Sequence, residues 1–361
     1  MLTFVERKTS RDMNISAFMI GASTTFFTIF ALHILLWRSR RSRFQNTLGC
    51  IMAVWALWCL KDIILTFPGM YRPQVLNWIM VVDGWSALSY TAFIAEVVMP
   101  RWFTIRRFLV LCLPFAAFTI AYALHPTQAV LYAYAIFLWF YAWVVVIVGW
   151  AKMRQCLAYV RKNYSNIDSI DVSWLRPVFL FATIGQLAWL GISFYASVIA
   201  DIFYYLSIIA LWCMVLYYSW DFRPIIMEPE PTVLADIPSG DAVPSSPAHP
   251  TLPKGMLERL MDEEQLYLKR DLTLTDLAQA LGTNRTYVSN YFSQVLHQTF
   301  YDYINQLRIE RISIPMLREH PEYKLEYVAT ESGFASISTF RRAFVRLTGQ
   351  TPGQFCQNDA S

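Results

Sequence analysis

Three ionisable side chains lie inside apolar stretches of the sequence, where a charge is costly unless it is paired or hydrated. Lys61 and Asp62 fall about one turn from the end of one stretch, and Asp83 about two turns into the next, counted at ~1.5 Å per residue. If both stretches are membrane-spanning helices, the three groups share a depth. One cation and two anions at one depth would suit the binding of a small polar ligand.

Aromatic residues share the helix faces that carry the two acids. Trp58 precedes Asp62 by four positions, and Tyr90 follows Asp83 by seven. Both spacings place the side chains on one face of a helix. The candidate ligand site is therefore Trp58, Lys61, Asp62, Asp83 and Tyr90. Two plainer interpretations stay open: Lys61 pairs with Asp83 and holds two helices together, or it extends to the membrane surface.

The helices that would position these groups follow from the composition. The chain has 361 residues, of which 56% are hydrophobic and 16% charged, whereas soluble domains have roughly 45–50% and about 25%. A wholly soluble or disordered chain is therefore excluded. Seven stretches before residue 220 have about the 18 to 25 residues that cross a ~30 Å hydrocarbon core as a helix. The predicted spans are 16–37, 46–66, 75–99, 106–124, 128–151, 174–199 and 202–220.

Basic residues indicate the orientation of these spans. The loops after the first, third and fifth spans carry twelve lysines and arginines, whereas the N-terminal tail and the alternate loops carry four. Positive charge favours the cytoplasmic side. We therefore expect a multi-pass protein of the bacterial inner (cytoplasmic) membrane, with its N-terminus outside and its C-terminal part in the cytoplasm. Glu96 and Arg101, at the inner end of the third span, are expected to form an ion pair.

The composition changes twice after the last span. Residues 221–255 hold eight prolines among serine, aspartate and glutamate, which predicts an extended linker. Residues 256–361 return to short helices with apolar residues at helical spacing. The expected organisation is a seven-helix transmembrane domain at 1–220, a proline-rich cytoplasmic linker at 221–255 and a helical domain at 256–361. The whole chain is predicted to be all-α.

Two units within the last domain have the pattern of a helix-turn-helix motif. The first covers 274–292 and turns at Gly282. The second covers 325–344 and turns at Gly333. Glycine permits the tight turn, and Ser336 is the expected N-cap of the helix that follows the second turn. The predicted core faces are Leu274, Leu277, Ala278, Leu281, Val288, Phe292 and Val295 in the first unit, and Leu325, Val328, Ala329, Phe340, Phe344 and Leu347 in the second.

The order of these motifs resembles the DNA-binding domain of the arabinose-regulator (AraC/XylS) family. The other motifs that carry the resemblance are Phe300-Tyr-Asp-Tyr-Ile304, Leu307-Arg-Ile-Glu310, Gly333-Phe334, Phe340-Arg-Arg-Ala-Phe344 and Thr348-Gly-Gln-Thr-Pro-Gly-Gln-Phe355. The resemblance covers under a third of the chain. It implies an all-helical domain whose two recognition helices enter adjacent major grooves, about 34 Å apart. It also implies specific operator binding and control of transcription.

The resemblance assigns candidate DNA contacts position by position. The base-reading positions correspond to Thr286, Ser289, Asn290, Ile337, Ser338 and Arg342. The phosphate-contacting positions correspond to Arg285, Arg341 and Arg346. The chemistry suits these roles, because Arg342 can bridge guanine O6 and N7, Asn290 can pair with adenine, and Ile337 can meet a thymine methyl group.

Two features depart from the family's pattern. Pro315 lies in the helix that links the two units, where the family usually has a leucine. Proline inside a helix removes a hydrogen bond and kinks the helix, so the spacing of the two recognition helices is expected to change. Residues 256–361 also hold eleven lysines and arginines against thirteen aspartates and glutamates, a poor balance for non-specific DNA binding. Arg341, Arg342 and Arg346 keep a local basic stripe.

These observations predict a membrane-embedded one-component transcriptional regulator that binds promoter DNA and is controlled by a signal sensed in its membrane domain. Its candidate partners are double-stranded promoter DNA, the lipid bilayer, RNA polymerase, a second copy of the chain and an unidentified small-molecule or membrane signal. The alternative is a polytopic transporter or receptor with an accessory C-terminal regulatory or interaction domain.

An enzyme is not expected from this sequence. It lacks a Walker loop, HExxH, GxSxG and a glycine-rich dinucleotide motif. The six cysteines have no metal-ligand spacing. No cofactor, metal site or catalytic residue is therefore predicted.

Overall fold

The computed structural model describes residues 10–37, 42–67, 70, 72–168, 170–192, 198–220, 222–225 and 255–359. These residues form helices joined by turns and loops, and no strand occurs among them beyond one antiparallel bridge between Tyr164 and Thr273. The prediction of an all-α fold is confirmed. Most of the predicted linker, 221–255, lies outside the described residues.

The chain separates into two compact units. The first unit is Met1–Gln155 with Val172–Ile226, and the second is Cys156–Asp171 with Met227–Ser361. The second unit thus includes a segment that the sequence places between two predicted spans. The predicted domain boundaries, 1–220 for the transmembrane domain and 256–361 for the helical domain, stay predictions.

The first unit is built from long apolar helices. They are α1 (Ser10–Leu32), α2 (Arg43–Lys61), α3 (Pro73–Gly84), α4 (Ala87–Val98), α5 (Ile105–Leu124), most of α6 (Gln128–Asn163), α7 (Leu175–Ile192) and α8 (Val198–Ser219). A π-helical turn at His33–Trp37 extends α1, and a 3₁₀ turn at Asp62–Thr66 extends α2.

Six helical stretches among the described residues are long and apolar enough to cross a membrane. They are Met13–Leu36, Arg43–Thr66, Pro73–Val98, Ile105–Leu124, Gln128–Asn163 and Ile202–Ser219. Each overlaps one predicted span. The remaining predicted span, 174–199, overlaps α7. Within α7 the apolar stretch Leu175–Ile184 is shorter than the six membrane-length stretches. Residues 193–197 lie outside the described residues, so the number of seven spans stays a prediction.

Helix α6 is longer than the sequence predicted. The fifth span was expected to end at residue 151, whereas α6 continues to Asn163. Residues 152–163 contain neither glycine nor proline, and eight of the twelve are lysine, arginine, methionine, glutamine, leucine or alanine. Because these residue types favour the helix, it continues through the basic segment. Its last turns, from Cys156 onward, belong to the second unit.

An aromatic cluster fixes part of the core of the first unit. The ring of Trp212 stacks on Tyr90 at a centroid distance of 5.8 Å and lies 6.1 Å from Trp55. The ring of Phe93 lies 5.8 Å from that of Trp212. The indole N–H of Trp55 donates a hydrogen bond to Ser89 Oγ at 3.0 Å. Because a buried indole N–H needs a partner, this bond helps to hold α2 against α4.

The second unit contains short helices. They are α9 (Met256–Glu263), α10 (Leu274–Ala280), α11 (Arg285–Asn290), α12 (Phe300–Arg308), α13 (Ile314–Glu319), α14 (Leu325–Glu331), α15 (Ile337–Thr348) and α16 (Pro352–Asp359), together with the end of α6. π-Helical turns occur at Tyr291–Val295 and Ile309–Ser313.

Two hydrophobic clusters correspond to the two predicted helix-turn-helix units. The predicted core faces are confirmed except at Val295 and Leu347, which are 57% and 39% exposed. The π-helical turn after α11 explains Val295, because one extra residue per turn brings Leu296 onto the cluster in its place. In α15, Ala343 completes the buried face, and Leu347 lies at the end of the helix.

The helix that links the two predicted helix-turn-helix units is irregular close to Pro315, which was expected to disturb it. A π-helical turn at Ile309–Ser313 follows α12, and Pro315 stands in the first turn of α13. Ser313 and Ile314 keep right-handed helical dihedrals, so the helix runs on into Pro315, which has no N–H to donate to the preceding turn. The hydroxyl of Ser313 donates to the backbone carbonyl of Arg308 at 3.2 Å. A π-helical turn is thus present just before Pro315, and the changed spacing of the two recognition helices stays a prediction.

Candidate nucleic-acid interface

The first predicted helix-turn-helix unit, 274–292, contains α10, a turn at Gly282 and α11. The capping box at α10 joins Thr273 and Asp276: the amide of Asp276 donates to Thr273 Oγ1 at 3.1 Å, and the amide of Thr273 donates to the Asp276 carboxylate at 3.0 Å. Gly282 has a φ of 63°, which glycine adopts without a steric penalty. Asn284 caps α11 by accepting a hydrogen bond from the amide of Tyr287 at 3.0 Å. These local interactions set the direction of α11.

The second predicted helix-turn-helix unit, 325–344, contains α14, a turn at Gly333 and most of α15. Gly333 has a φ of 81°, and a Cβ at this position would lie 2.7 Å from the backbone oxygen of Leu268. Glycine is therefore required both for the conformation and for the close approach. Ser336 Oγ accepts a hydrogen bond from the amide of Thr339 at 3.2 Å, so the predicted N-cap is confirmed.

A buried arginine joins several parts of the second compact unit, Cys156–Asp171 with Met227–Ser361. Arg308 is 1% exposed and donates to the backbone carbonyls of Tyr267 and Lys269 at 2.6 and 2.8 Å. Its guanidinium lies 5.5 Å from the centre of the Phe334 ring and 3.4 Å from Ser165 Oγ. Burial lowers the pKa of Arg308 to about 10. Sequence reasoning found this residue only as part of a motif and assigned it no contact.

The four predicted DNA contacts of the first predicted helix-turn-helix unit lie on α11. Asn290 is exposed, and Arg285 and Thr286 are half-buried. Ser289 is 5% exposed, and its hydroxyl has no hydrogen-bond partner within the described part of the chain. The guanidinium of Arg285 lies over the ring of Tyr159, 5.4 Å from its centre. In this arrangement Asn290 presents its polar group to solvent, and Ser289 does not.

The five predicted contacts of the second predicted helix-turn-helix unit lie on α15. Ser338, Arg341, Arg342 and Arg346 are exposed, and Ile337 is half-buried. Arg342 and Arg346 are four positions apart and so share a face of α15, and Arg341, next to Arg342 in sequence, is exposed as well. We call the five residues of α15 and the four of α11 the reading surface.

Comparison with known proteins agrees with this geometry. Residues 277–358 match the model of a family described as a helix-turn-helix domain. These residues form a helix-turn-helix domain of the AraC type. We refer to them below as the AraC-type domain. No solved structure matches the chain.

Part of the chain is similar to HTH-type transcriptional regulators of other bacteria. An uncharacterized HTH-type transcriptional regulator of Staphylococcus aureus (strain COL) is 27% identical over 99 residues, which are 27% of this chain and 13% of that protein. The uncharacterized HTH-type transcriptional regulator YdeC of Bacillus subtilis (strain 168) is 28% identical over 96 residues, which are 27% of this chain and 32% of YdeC. The chain therefore spans less than a third of the length of either relative, and the similarity supports a transcription regulator.

A segment from between two predicted spans packs against the AraC-type domain and the residues just before it. This segment, Cys156–Asp171, belongs to the second unit, and we call it the docking segment. Tyr164 forms an antiparallel bridge with Thr273. The amide and the hydroxyl of Ser165 both donate to the backbone oxygen of Leu272, at 3.1 and 2.7 Å. The segment is thus fixed by backbone hydrogen bonds immediately before α10.

The docking segment also contacts α15. Asp168 Oδ1 lies 3.4 Å from Nη2 of Arg342 and accepts a hydrogen bond from the hydroxyl of Thr339. Asp171 Oδ2 lies 3.7 Å from Nη1 of Arg342. Tyr301 lies close to these charges; burial raises its pKa, and Arg342 opposes that increase. Sequence reasoning missed Asp168 and Asp171, whose only signal was two acids in a loop predicted to be basic.

The predicted cluster of Lys61, Asp62 and Asp83 is present in the first compact unit. Lys61 Nζ lies 2.7 Å from Oδ1 of Asp83 and also pairs with Asp62. Asp62 is buried and accepts a hydrogen bond from the hydroxyl of Tyr205 at 2.9 Å. The cation therefore joins α2 to α3, which is the interhelical pair that the sequence left open. Tyr205 is a further member that the sequence did not indicate.

The two predicted aromatic walls occupy different surroundings. The ring of Tyr90 lies 5.7 Å from Trp55 and 5.8 Å from Trp212, within the aromatic cluster. Trp58 is half-buried, and its indole N–H has no hydrogen-bond partner among the described residues. Packing thus accounts for Tyr90, whereas Trp58 keeps an unused donor.

The prediction that Glu96 pairs with Arg101 is wrong, because Glu96 pairs with a different arginine. Glu96 is buried, and its Oε1 lies 3.0 Å from Nε of Arg43, at the start of α2. Arg101 lies beyond the end of α4 with a φ of 70°. The chain turns there, so nearness in sequence did not place the arginine beside the carboxylate, while helix packing brought Arg43 to it.

Proposed function

We propose that this chain is a membrane-embedded one-component transcription regulator. Its AraC-type domain would bind specific promoter DNA, and its apolar helices would anchor the chain in the membrane and receive a signal. The observation that carries the proposal is that one chain combines an AraC-type domain with six helical stretches long and apolar enough to cross a membrane. A soluble regulator has no use for such helices, because they would expose apolar surface to water.

The DNA-binding part of the proposal is supported by the reading surface. Arg342 and Asn290 carry the side-chain groups that discriminate guanine and adenine in the major groove. Arg341 is exposed beside Arg342 and would contact a phosphate, which contributes affinity without sequence preference. Two units joined by one linking helix would read two successive major grooves, about 34 Å apart along the duplex.

The membrane part of the proposal follows from the charge distribution. Basic residues after the first, third and fifth predicted spans favour an N-terminus outside and a C-terminus in the cytoplasm of a bacterial cell. Only this orientation lets the AraC-type domain reach the chromosome. RNA polymerase and a second copy of the chain are proposed as partners, since a dimer would raise the effective concentration of reading domains at one promoter.

The Lys61 cluster is the proposed point at which a signal acts. One lysine faces two aspartates, so the three charges do not cancel when all are ionised. Trp58 adds an unused indole donor on the face of α2 that carries Asp62. A small polar ligand that exchanges contacts with Lys61 would change how α2 and α3 are held together.

The same cluster favours a second candidate function, a transporter or receptor with an accessory C-terminal domain. Ionisable groups among apolar helices are common in substrate pathways. Substrate uptake into proteoliposomes distinguishes the two candidates. Uptake that depends on Asp83, without DNA binding by the chain, would favour the transporter.

The proposed function is tested by DNA binding of the full chain in lipid nanodiscs. The probes are a duplex that carries the chain's own upstream region and a random-sequence duplex of equal length. We expect tighter binding of the upstream duplex. Arg342→Ala should remove this preference with little change in salt dependence, whereas Arg341→Ala should lower the salt slope by about one for both duplexes. Equal binding of both duplexes, unchanged by Arg342→Ala, would contradict sequence-specific reading.

A further inference from the structure

Two acids occupy the part of the reading surface that the proposed function assigns to DNA. Asp168 and Asp171 approach the guanidinium of Arg342 from the docking segment, at 3.4 and 3.7 Å. A carboxylate presents anionic acceptor oxygens to arginine, as a phosphate does. Arg342 cannot direct the same N–H groups to these acids and to a guanine. The two acids therefore hold the residue that would discriminate the base pair.

The docking segment also engages the first recognition helix. Tyr159, in its helical part, lies under the guanidinium of Arg285, and the tyrosine oxygen lies 3.4 Å from Nη2. Arg285 is the first residue of α11 and a predicted phosphate contact. One short segment thus contacts a predicted DNA-binding arginine on each recognition helix.

The contact is built from matched hydrogen bonds as well as charges. An isolated antiparallel bridge joins Tyr164 to Thr273. Two residues further along, the side-chain amide of Asn166 donates to the Asp271 carboxylate at 2.9 Å. The acids at 168 and 171 are therefore delivered to α15 from a fixed starting point.

We infer that the docking segment is a built-in competitor of DNA. In the structure described here the AraC-type domain is in its inhibited state, and it binds DNA when the segment leaves the reading surface. The inference rests on the proposed function, because it assigns the regulation of the same surface. The competing occupant is duplex DNA, whose phosphates and guanine edges would replace the carboxylates.

The strength of the contact suits a reversible inhibitor. The side chain of Arg342 is 56% exposed, and those of Asp168 and Asp171 are 26% and 15% exposed. Ion pairs in such surroundings are weak individually. Several weak contacts on one segment hold it in place together and can be lost together.

The chain connection suggests how a signal would reach the inhibitor. Tyr159 lies on α6, which is one continuous helix from Gln128 to Asn163. Ser165, Asp168 and Asp171 follow directly after the end of this helix. A movement of the end of α6 would therefore withdraw the whole docking segment from the reading surface.

The first test removes the two acids from the full chain in nanodiscs. Asp168→Asn/Asp171→Asn keeps the side-chain shapes and removes the charges that hold Arg342. We expect at least about fivefold tighter binding of both the upstream and the random-sequence duplex, since a larger fraction of the chain is competent to bind. The control is Glu263→Gln/Glu264→Gln, which removes two exposed charges of the same unit away from the reading surface.

The possible results separate this inference from the proposed function. Tightening in the Asp168/Asp171 variant beyond that of the control supports competition. If the parent chain binds DNA and both variants bind equally, the inhibitor role is wrong while DNA binding stands. Weaker binding by the Asp168/Asp171 variant would mean that the segment supports the reading surface, which also overturns the inference. If no variant binds either duplex at low salt, the proposed function fails, and the inference fails with it.

The second test locks the segment in place. The side chains of Asn166 and Asp271 meet through a hydrogen bond of 2.9 Å, so we expect cysteines at these two positions to come within reach of a disulfide. Asn166→Cys/Asp271→Cys should lose DNA binding when oxidised and regain it on reduction, while the single Asn166→Cys variant should respond to neither treatment. Equal binding by the oxidised and reduced double variant, with the disulfide verified by mass, would overturn the inference.

Discussion

Nη1 of Arg346, in the last turn of α15, lies 2.8 Å from Oδ1 of Asp302, in the first turn of α12. This pair connects the end of α15 to the beginning of α12. The amide of Asp302 also donates to Thr299 Oγ1 at 3.1 Å, within the N-cap of α12. The side chain of Arg346 is more than half exposed, so the pair orients the arginine more than it stabilises the fold.

Replacement of Arg346 by alanine should therefore separate stability from DNA binding. We expect the free energy of unfolding to change by less than ~1 kcal/mol, as for other exposed ion pairs. The slope of log affinity against log salt concentration should fall by about one if Arg346 contacts a phosphate. Arg259→Ala, which removes an exposed arginine of α9, is the matched control and should leave the slope unchanged. An unchanged slope in Arg346→Ala would assign this arginine a structural role alone.

The two turn glycines should differ in their tolerance of alanine. Gly282→Ala should cost about 1–2 kcal/mol, the usual penalty for a left-handed alanine, because a Cβ there has no neighbour within 4 Å among the described residues. Gly333→Ala should cost more, since its Cβ would lie 2.7 Å from the backbone oxygen of Leu268. Amide hydrogen exchange of peptides from α10–α11 and α14–α15 measures each effect locally. Equal acceleration of exchange in the two variants would contradict the close approach at Gly333.

Arg308 should be needed for the fold of the second unit. Arg308→Met removes the donor of the buried Tyr267 carbonyl and leaves the Lys269 carbonyl with the amide of Leu272 alone, and an unpaired buried acceptor costs ~1–3 kcal/mol. Arg308→Lys keeps the charge but cannot reach both carbonyls in the same geometry, so it should lie between the methionine variant and the parent. Hydrogen exchange of the loop at 266–272 reports the loss. Normal protection in Arg308→Met would show that water or another donor replaces the guanidinium.

Removal of Lys61 should lower the stability of the first compact unit, because this cation pairs with two carboxylates. Lys61→Met removes the cation shared by Asp62 and Asp83 and leaves two neighbouring carboxylates, with an expected loss of ~1–3 kcal/mol or more. Asp83→Asn added to this variant should restore part of the stability, because it removes one unpaired charge. Thermal unfolding in detergent, followed by tryptophan fluorescence, compares the two. A double variant less stable than the single one would mean that Asp83 has a stabilising role independent of Lys61.

Much of the local structure could be predicted from the sequence, because the features that determine it lie within a few residues. The helical repeat of apolar residues identified both buried faces of the AraC-type domain. Glycine at 282 and 333 marked the turns, and Ser336 marked a helix start. The errors were local too: a π-helical turn moved Val295 out of the core, and a basic segment without glycine or proline continued α6 to Asn163.

The sequence by itself determined an all-helical chain with long apolar helices and an AraC-type domain, since periodicity, length and turn residues act over short distances. Only the tertiary structure decided which side chains meet. It paired Glu96 with Arg43, placed Arg308 among backbone carbonyls and brought Asp168 to Arg342, 174 positions away. Such contacts depend on how separate helices pack, and a charged residue can pair with any opposite charge that packing brings within reach. No local pattern marks that choice.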